Sequence, residues 1–248
     1  MSDDRFFDVR RAPADTTAGP VDMPILYKDA SALGMVFPVD PERAASLVPA
    51  AFEPWTRFGR AFAVLCAFEY RESTIGPYDE LGIGVLVRRK GASPSWLRFL
   101  RDMRAEENAA LYVVNLPVTT AGAHAAGTEL WGLPKYVTPM ETHFEPERAR
   151  VVLGSELEIE MTRSRWPSMK GLPLVLYSVN HGRVIRTVVD VSHPQTVGGK
   201  VTLKVTGDGP CSETVRALGM DRKKPLFAYS TDTMRSILPL GRDLGPAR

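Results

Sequence analysis

The chain has 248 residues, 44% hydrophobic and 24% charged, an ordinary globular composition that excludes both a disordered and a collagen-like chain. With 31 Lys and Arg against 29 Asp and Glu, the formal charge of +2 is too balanced for a dedicated nucleic-acid or membrane-surface protein. The longest apolar run, Ala61–Phe68, is far too short to cross a bilayer, and the acidic, polar opening residues read as no secretory signal. Two cysteines, Cys66 and Cys211, cannot build a disulfide framework or a four-cysteine zinc site, so the cytoplasm is the expected compartment.

Residues 1–24 show no sustained period and read as an arm or tail. Asp40 caps a predicted helix that starts at Pro41 and runs to Val48. Ala61–Phe68 is a predicted buried strand with Cys66 as a small core residue, and Gly82–Arg89 and Ala110–Val114 are similar. Between them a helix is expected over Ser95–Arg104, with Trp96, Leu97, Leu100 and Met103 on one face. The Ala-rich stretch after Ala121 favours a helix that Gly132 ends and Pro134 prevents from continuing, and a strand-like run follows over Tyr136–Phe144.

The second half reads as strands. Leu157, Ile159 and Met161 alternate with glutamates, as do Val201, Leu203 and Val205 with polar residues. Leu172–Val179 and Arg183–Val191 flank a hairpin turn at Asn180-His181-Gly182. Ser212–Leu218 is a short capped helix closed by Gly219. Many strands and few helices predict a mainly β (α+β) fold of antiparallel sheet with accessory helices. With no linker and no internal repeat, a single domain is expected over residues 25–248.

No phosphate-binding glycine loop, dinucleotide fingerprint or nucleophile elbow is present. His124, His143, His181 and His193 lack metal-ligand spacing, so no metal and no cofactor is expected. One stretch carries a chemical signal: Glu129-Leu130-Trp131-Gly132-Leu133-Pro134-Lys135-Tyr136. Lys135 stands at a helix stop among Trp131, Leu133, Pro134 and Tyr136. Desolvation there favours the neutral amine, which can attack a carbonyl and form an imine. The same residues also fit a surface lysine whose stem covers Tyr136 while the ammonium stays wet.

The motif E-L-W-G-x-P-K resembles the active-site segment of the acetoacetate decarboxylase family. Tyr78-Asp79-Glu80-Leu81-Gly82 resembles that family's Y-x-E-x-G stretch. Met35-Val36-Phe37 before the Asp40 helix is similar to its first strand and helix. Leu172–Val191 is similar to its late hairpin, and Ser236-Ile237-Leu238-Pro239 to its closing segment. The resemblance runs from about residue 30 to the C-terminus. It implies an acetoacetate-decarboxylase-like β-cone or barrel core wrapped by further sheet and helices, in a homo-oligomer. It also implies a lysine Schiff base at Lys135. Activating that lysine by burial or by a cationic neighbour is the mechanism known for acetoacetate decarboxylase itself. Glu80 is the matching glutamate, able to place substrate or move protons, though a solvated loop acid fits it equally. Tyr136, Trp131, Leu133 and Tyr78 are the expected pocket residues. Glu129 fits the motif but can also cap or pair at the helix end.

Three departures follow from the same resemblance. Tyr136 stands where the decarboxylase has a second lysine. No arginine occurs between Arg11 and Arg43, and Ala30, with Lys28 nearby, stands where a substrate-binding arginine belongs. No acid stands near Leu65 until Glu69. The expected activity is therefore a Schiff-base lyase acting on a keto acid, decarboxylase-like but not dedicated to acetoacetate. The alternatives are a pyruvate-using aldolase or aldolase-dehydratase and a non-catalytic small-molecule-binding β-barrel. The Ala92–Asn108 helix is expected to pack, to cover the pocket or to join subunits.

Overall fold

The computed structural model describes residues 5–92, 95–101, 103–105, 109–163, 168–170, 173–192 and 194–247. Its frame is seven long strands: β1 (Ile25–Val39), β2 (Ala61–Ser73), β3 (Tyr78–Arg89), β4 (Ala110–Val118), β5 (Leu174–Asn180), β6 (Arg183–Val191) and β7 (Phe227–Leu238). They hydrogen-bond in the order β7-β1-β2-β3-β4-β5-β6. The edge of β6 then returns to β7 through Asp190↔Ile237 and Val191↔Ser236, which closes a seven-stranded barrel. Four helices accompany it among the described residues: α1 (Pro41–Ala45), α2 (Trp96–Arg101), α3 (Ala121–Trp131) and α4 (Pro210–Leu218). The expected mainly β, acetoacetate-decarboxylase-like architecture is what the chain adopts.

Every barrel pairing is antiparallel except β4–β5, where Leu111 and Tyr112 pair in parallel with Leu176 and Tyr177. A parallel step cannot be made by a hairpin and needs a long crossover. That crossover holds α3, the short strand Lys135–Val137 and three strands of a second sheet. The second sheet orders Gly199–Val205, Leu157–Arg163, Arg148–Leu153 and Met140–Phe144.

Strand alternation divides the barrel wall into two faces. Leu33, Met35, Phe37, Leu65 and Leu81 point outward and pack with Val151, Leu157 and Ile159 of the second sheet and Val215 and Leu218 of α4. Ala30, Ala32, Cys66, Phe68 and Tyr70 point inward. Small residues on the inner face leave room for a cavity, and Gly34 lets the Tyr229 ring lie flat across β1, because a Cβ there would stand 2.3 Å from Tyr229 Cε1.

The predicted elements appear with shifted ends. The carboxylate of Asp40 accepts from the amides of Glu42 and Arg43, but α1 stops at Ala45 and the chain turns through Val48. β2, β3 and β4 are each longer than their apolar runs, because polar ends such as Glu69 and Glu72 pair as well as apolar ones. α2 is shorter than expected and Leu97 is exposed, since Trp96 instead stacks on Trp55 at 4.6 Å. The β5–β6 turn is made by His181 and Gly182, both with positive φ, as a tight two-residue hairpin requires. α4 begins at Pro210, and its cap comes from outside: the Glu156 carboxylate accepts from the amides of Cys211 and Ser212. The arm expected to lack structure forms a small hairpin, Ala12–Ala14 with Val21–Met23. Leu172, His193 and part of the 92–108 segment lie outside the described residues. Among the described residues no helix is long and apolar enough to cross a membrane.

Candidate active site

The site forms where α3 ends. Thr120 caps the start of the helix with its side chain, and Gly132 ends it at φ 66°. The amides of Gly132 and Leu133 turn back to the carbonyls of Thr128 and Gly127. No other residue fits at 132, since a Cβ there would meet the Val179 carbonyl oxygen at 2.4 Å as well as the left-handed backbone. Pro134 then releases the chain into Lys135–Val137, which pairs in parallel with Leu116–Val118 of β4. This register aims Lys135 into the barrel.

Lys135 Nζ lies 2.5 Å from Glu80 Oε2, and the two side chains are 6% and 10% exposed. Glu80 comes from β3, opposite Phe68 of β2 and Val118 of β4. It is therefore a strand residue in the barrel interior and not the solvated loop acid that its sequence neighbours also allowed. Tyr70 donates to Glu80 Oε1 at 3.5 Å. The Tyr78 ring centroid is 5.5 Å from Lys135 Nζ, within cation–π range. Behind it the Tyr27 and Tyr78 hydroxyls meet at 2.8 Å. Burial, and after it the Glu80 charge, holds the Tyr27 and Tyr70 phenols well above their ordinary value. They stay neutral hydrogen-bond donors at physiological pH.

Lys135 and Glu80 open into a cavity of about 230 Å³. Among the described residues that line it, these two are the charged ones. Cys66 lines it too, its Sγ 3.6 Å from the Tyr229 hydroxyl, and burial pushes its thiol up to about 11. Ser236 lines the cavity, its hydroxyl fully buried and without a hydrogen-bond partner among the described residues. No three His, Cys, Asp or Glu side chains among the described residues come together as a metal site.

The expected pocket residues divide. Leu133 lines the cavity. Tyr78 stands against the lysine. Trp131 is 2% exposed but lies behind the wall, its Nε1 donating to the Pro239 carbonyl at 3.0 Å. Tyr136 is not a wall residue. Its hydroxyl is 3.3 Å from Cys211 Sγ, and its ring packs against the outer core. The reason is strand alternation: if Lys135 faces inward, its neighbour must face outward. Glu129 is tied to the arm, accepting from the amide of Thr17 at 3.0 Å. Lys28 pairs with Glu72 at 3.0 Å on the surface, and Ala30 is fully buried inside the barrel, so neither supplies a cation to the cavity. Leu65 also faces the outer core, so Cys66 and Phe68 are the residues of that stretch that meet the cavity. Sequence reasoning missed Gly127, Cys66 and Ser236. The alternation around Leu65 could have exposed Cys66 as the inward neighbour.

The sequence profile described as Acetoacetate decarboxylase (ADC) matches residues 9–161. The chain belongs to the acetoacetate decarboxylase family. Solved structures of the family share its fold. Acetoacetate decarboxylase from Legionella pneumophila subsp. pneumophila str. Philadelphia 1 is 16% identical with a TM-score of 0.67, covering 96% of this chain and 92% of that one. The enduracididine biosynthesis enzyme MppR complexed with pyruvate is 16% identical with a TM-score of 0.59, covering 96% of this chain and all of its own. An acetoacetate decarboxylase-like enzyme from Sphingomonas wittichii RW1 is 12% identical with a TM-score of 0.59, covering 91% of this chain and 95% of that one. No curated protein sequence matches the chain.

Proposed function

We propose that this acetoacetate decarboxylase family member is a lyase that acts on a keto acid through a Schiff base at Lys135. The observation that carries this reading is the buried Lys135–Glu80 pair, joined at 2.5 Å in the wall of an apolar cavity. The short hydrogen bond lets Glu80 take a proton from the Lys135 ammonium, which frees the lone pair. The amine then adds to the substrate carbonyl, and loss of water leaves a protonated imine. In a 3-keto acid the bond from C2 to the carboxylate breaks. Its electron pair moves into the imine, carbon dioxide leaves, and an enamine remains. Glu80, whose first proton left with the departing water, takes up a proton from solvent and delivers it to the enamine carbon, and water hydrolyses the imine to release the ketone and Lys135. The neutral Tyr70 hydroxyl stays bonded to the carboxyl that shuttles the proton.

A carboxylate held in such a cavity loses its water shell and finds no arginine among the described lining residues. Both features press towards loss of carbon dioxide, because the charge spreads as the bond breaks. A pyruvate donor retains its carboxylate throughout and would need an anchor. The test is imine trapping. Incubation with a panel of keto acids that includes pyruvate, then borohydride reduction, should add the mass of the reduced adduct to the intact chain. Lys135→Ala should abolish the adduct, and Glu80→Gln should slow its formation by about 10²–10⁴-fold. No adduct with any member of the panel would leave a non-catalytic binding barrel.

A further inference from the structure

We infer that the barrel interior is built for a carbonyl compound with a long apolar tail, a claim about substrate class that rests on the Schiff-base reading above. The strand register gives the level of each lining residue. Ala32 pairs with Phe68, and Phe68 with Glu80, so Ala32 marks the level of the reactive pair. Val36 lies four residues further along β1 and still lines the cavity, about 13 Å on at about 3.3 Å per residue. Phe227 pairs with Val36 and lines the same end. On β4, Leu116 pairs with Lys135, while Leu111, five residues back, lines the cavity opposite Leu176 of β5. The cavity is thus a bore that leads away from Lys135.

Its polar groups cluster round the reactive pair, with Met234 and Leu238 lining it on the side away from Val36. Glu80, Lys135, Tyr27, Tyr70 and the unpartnered Ser236 hydroxyl form the polar group of the lining. Beyond the level of Glu80, Val36, Leu111, Val113, Leu174, Leu176 and Phe227 make an aliphatic and aromatic sleeve, interrupted by the Cys66–Tyr229 contact. A substrate of acetoacetate size would fill the polar part and leave this sleeve empty. A tail that fills it removes apolar surface from water on both partners. A 3-keto acid and a methyl ketone with the same tail share this chemistry, and the two differ only in the carboxylate.

The test is a chain-length series of 3-keto acids and matching 2-alkanones from four to twelve carbons. Borohydride trapping should improve by about fourfold in apparent affinity for each added methylene until the bore is filled, and then level off. Steeper trapping of the 3-keto acids than of the alkanones, with carbon dioxide released, assigns the acid as substrate. Equal trapping assigns the ketone. Leu174→Trp and Val36→Phe, which narrow the sleeve, should move the optimum to shorter chains within each variant's own series. A flat series in the wild type overturns the inference. Displacement of a solvatochromic dye by 2-alkanones from Lys135→Met, which forms no imine, reads the bore separately. Chain-length-dependent displacement there supports the bore even if trapping fails with every compound, and then only the Schiff-base reading falls. Displacement independent of chain length overturns the bore.

Discussion

The Lys135 side chain lies directly across Gly127. A Cβ built at Gly127 would stand 2.3 Å from both Cδ and Cε of the lysine. Gly127 is inside α3, where glycine costs about 1 kcal/mol relative to alanine. The helix thus carries a destabilising residue at the one turn over which the lysine stem passes. Gly127→Ala should force the stem aside and break the 2.5 Å contact with Glu80, lowering imine formation by about 10²-fold. Gly122→Ala, in the same helix with open space around it, should leave imine formation alone and raise stability by up to about 1 kcal/mol. Thermal unfolding and borohydride trapping of the two variants check this. Equal trapping by both would mean that the lysine does not need the path over Gly127.

Tyr136 provides the second test. It was expected in the pocket wall, and the structure turns it to the outer core, where its hydroxyl meets Cys211 Sγ. Tyr136→Phe should therefore cost about 1 kcal/mol of stability and change trapping rates by less than about twofold. A large loss of trapping with stability intact would return Tyr136 to the site.

The same residue marks where the sequence stops being readable. The helix stop at Gly132 and Pro134 was legible because it depends on local backbone chemistry. So was the alternation of Leu157, Ile159 and Met161, because one face of that strand is buried. The direction of Lys135 was not legible. It depends on the register with β4, which brings Leu116 opposite the lysine across 18 intervening residues of chain. Glu80 was ambiguous for the same reason: its burial comes from β2 and β4 on either side. Barrel closure between β6 and β7 leaves no local trace in either segment. The external cap of α4 by Glu156 was equally hidden, because no spacing rule connects residues so far apart.

Ser236 should show opposite signs in two assays. Its Oγ is buried without a hydrogen-bond partner, a state that costs about 1–3 kcal/mol in the free protein. Ser236→Ala removes the unsatisfied hydroxyl, so the melting temperature should stay level or rise. If the hydroxyl is a donor for the polar head of the substrate, the same variant should weaken apparent affinity by about tenfold. Loss of affinity with loss of stability would instead make Ser236 a packing residue.

The two cysteines predict an alkaline limit and a labelling test for the cavity. Burial pushes the Cys66 thiol up to about 11 and the Cys211 thiol up to about 12, from an ordinary value of 9.0. Folding therefore favours the neutral thiols. Below about pH 9 both states hold these protons and the contribution to stability is complete. As pH rises from 9 through about 11 and 12, the unfolded chain ionises first and that contribution is lost. The buried Tyr27, Tyr70, Tyr78 and Tyr229 phenols, raised from 10.0 by burial, act in the same direction. Melting temperatures should be flat from pH 7 to 8.5 and fall steadily above 9. Cys66→Ala should make the first part of the fall shallower. At pH 8 burial keeps the Cys66 thiol protonated, so iodoacetamide should leave the native protein unlabelled and modify both cysteines once it is unfolded. At pH 10 slow labelling of Cys66 should begin. Because Cys66 lines the cavity and Cys211 lies outside it against Tyr136, 2-octanone should protect Cys66 and leave Cys211 unaffected. Labelling of Cys66 at pH 8 as fast as a free thiol would contradict its burial, and protection of both cysteines alike would mean that the ligand tightens the whole fold instead of occupying the bore.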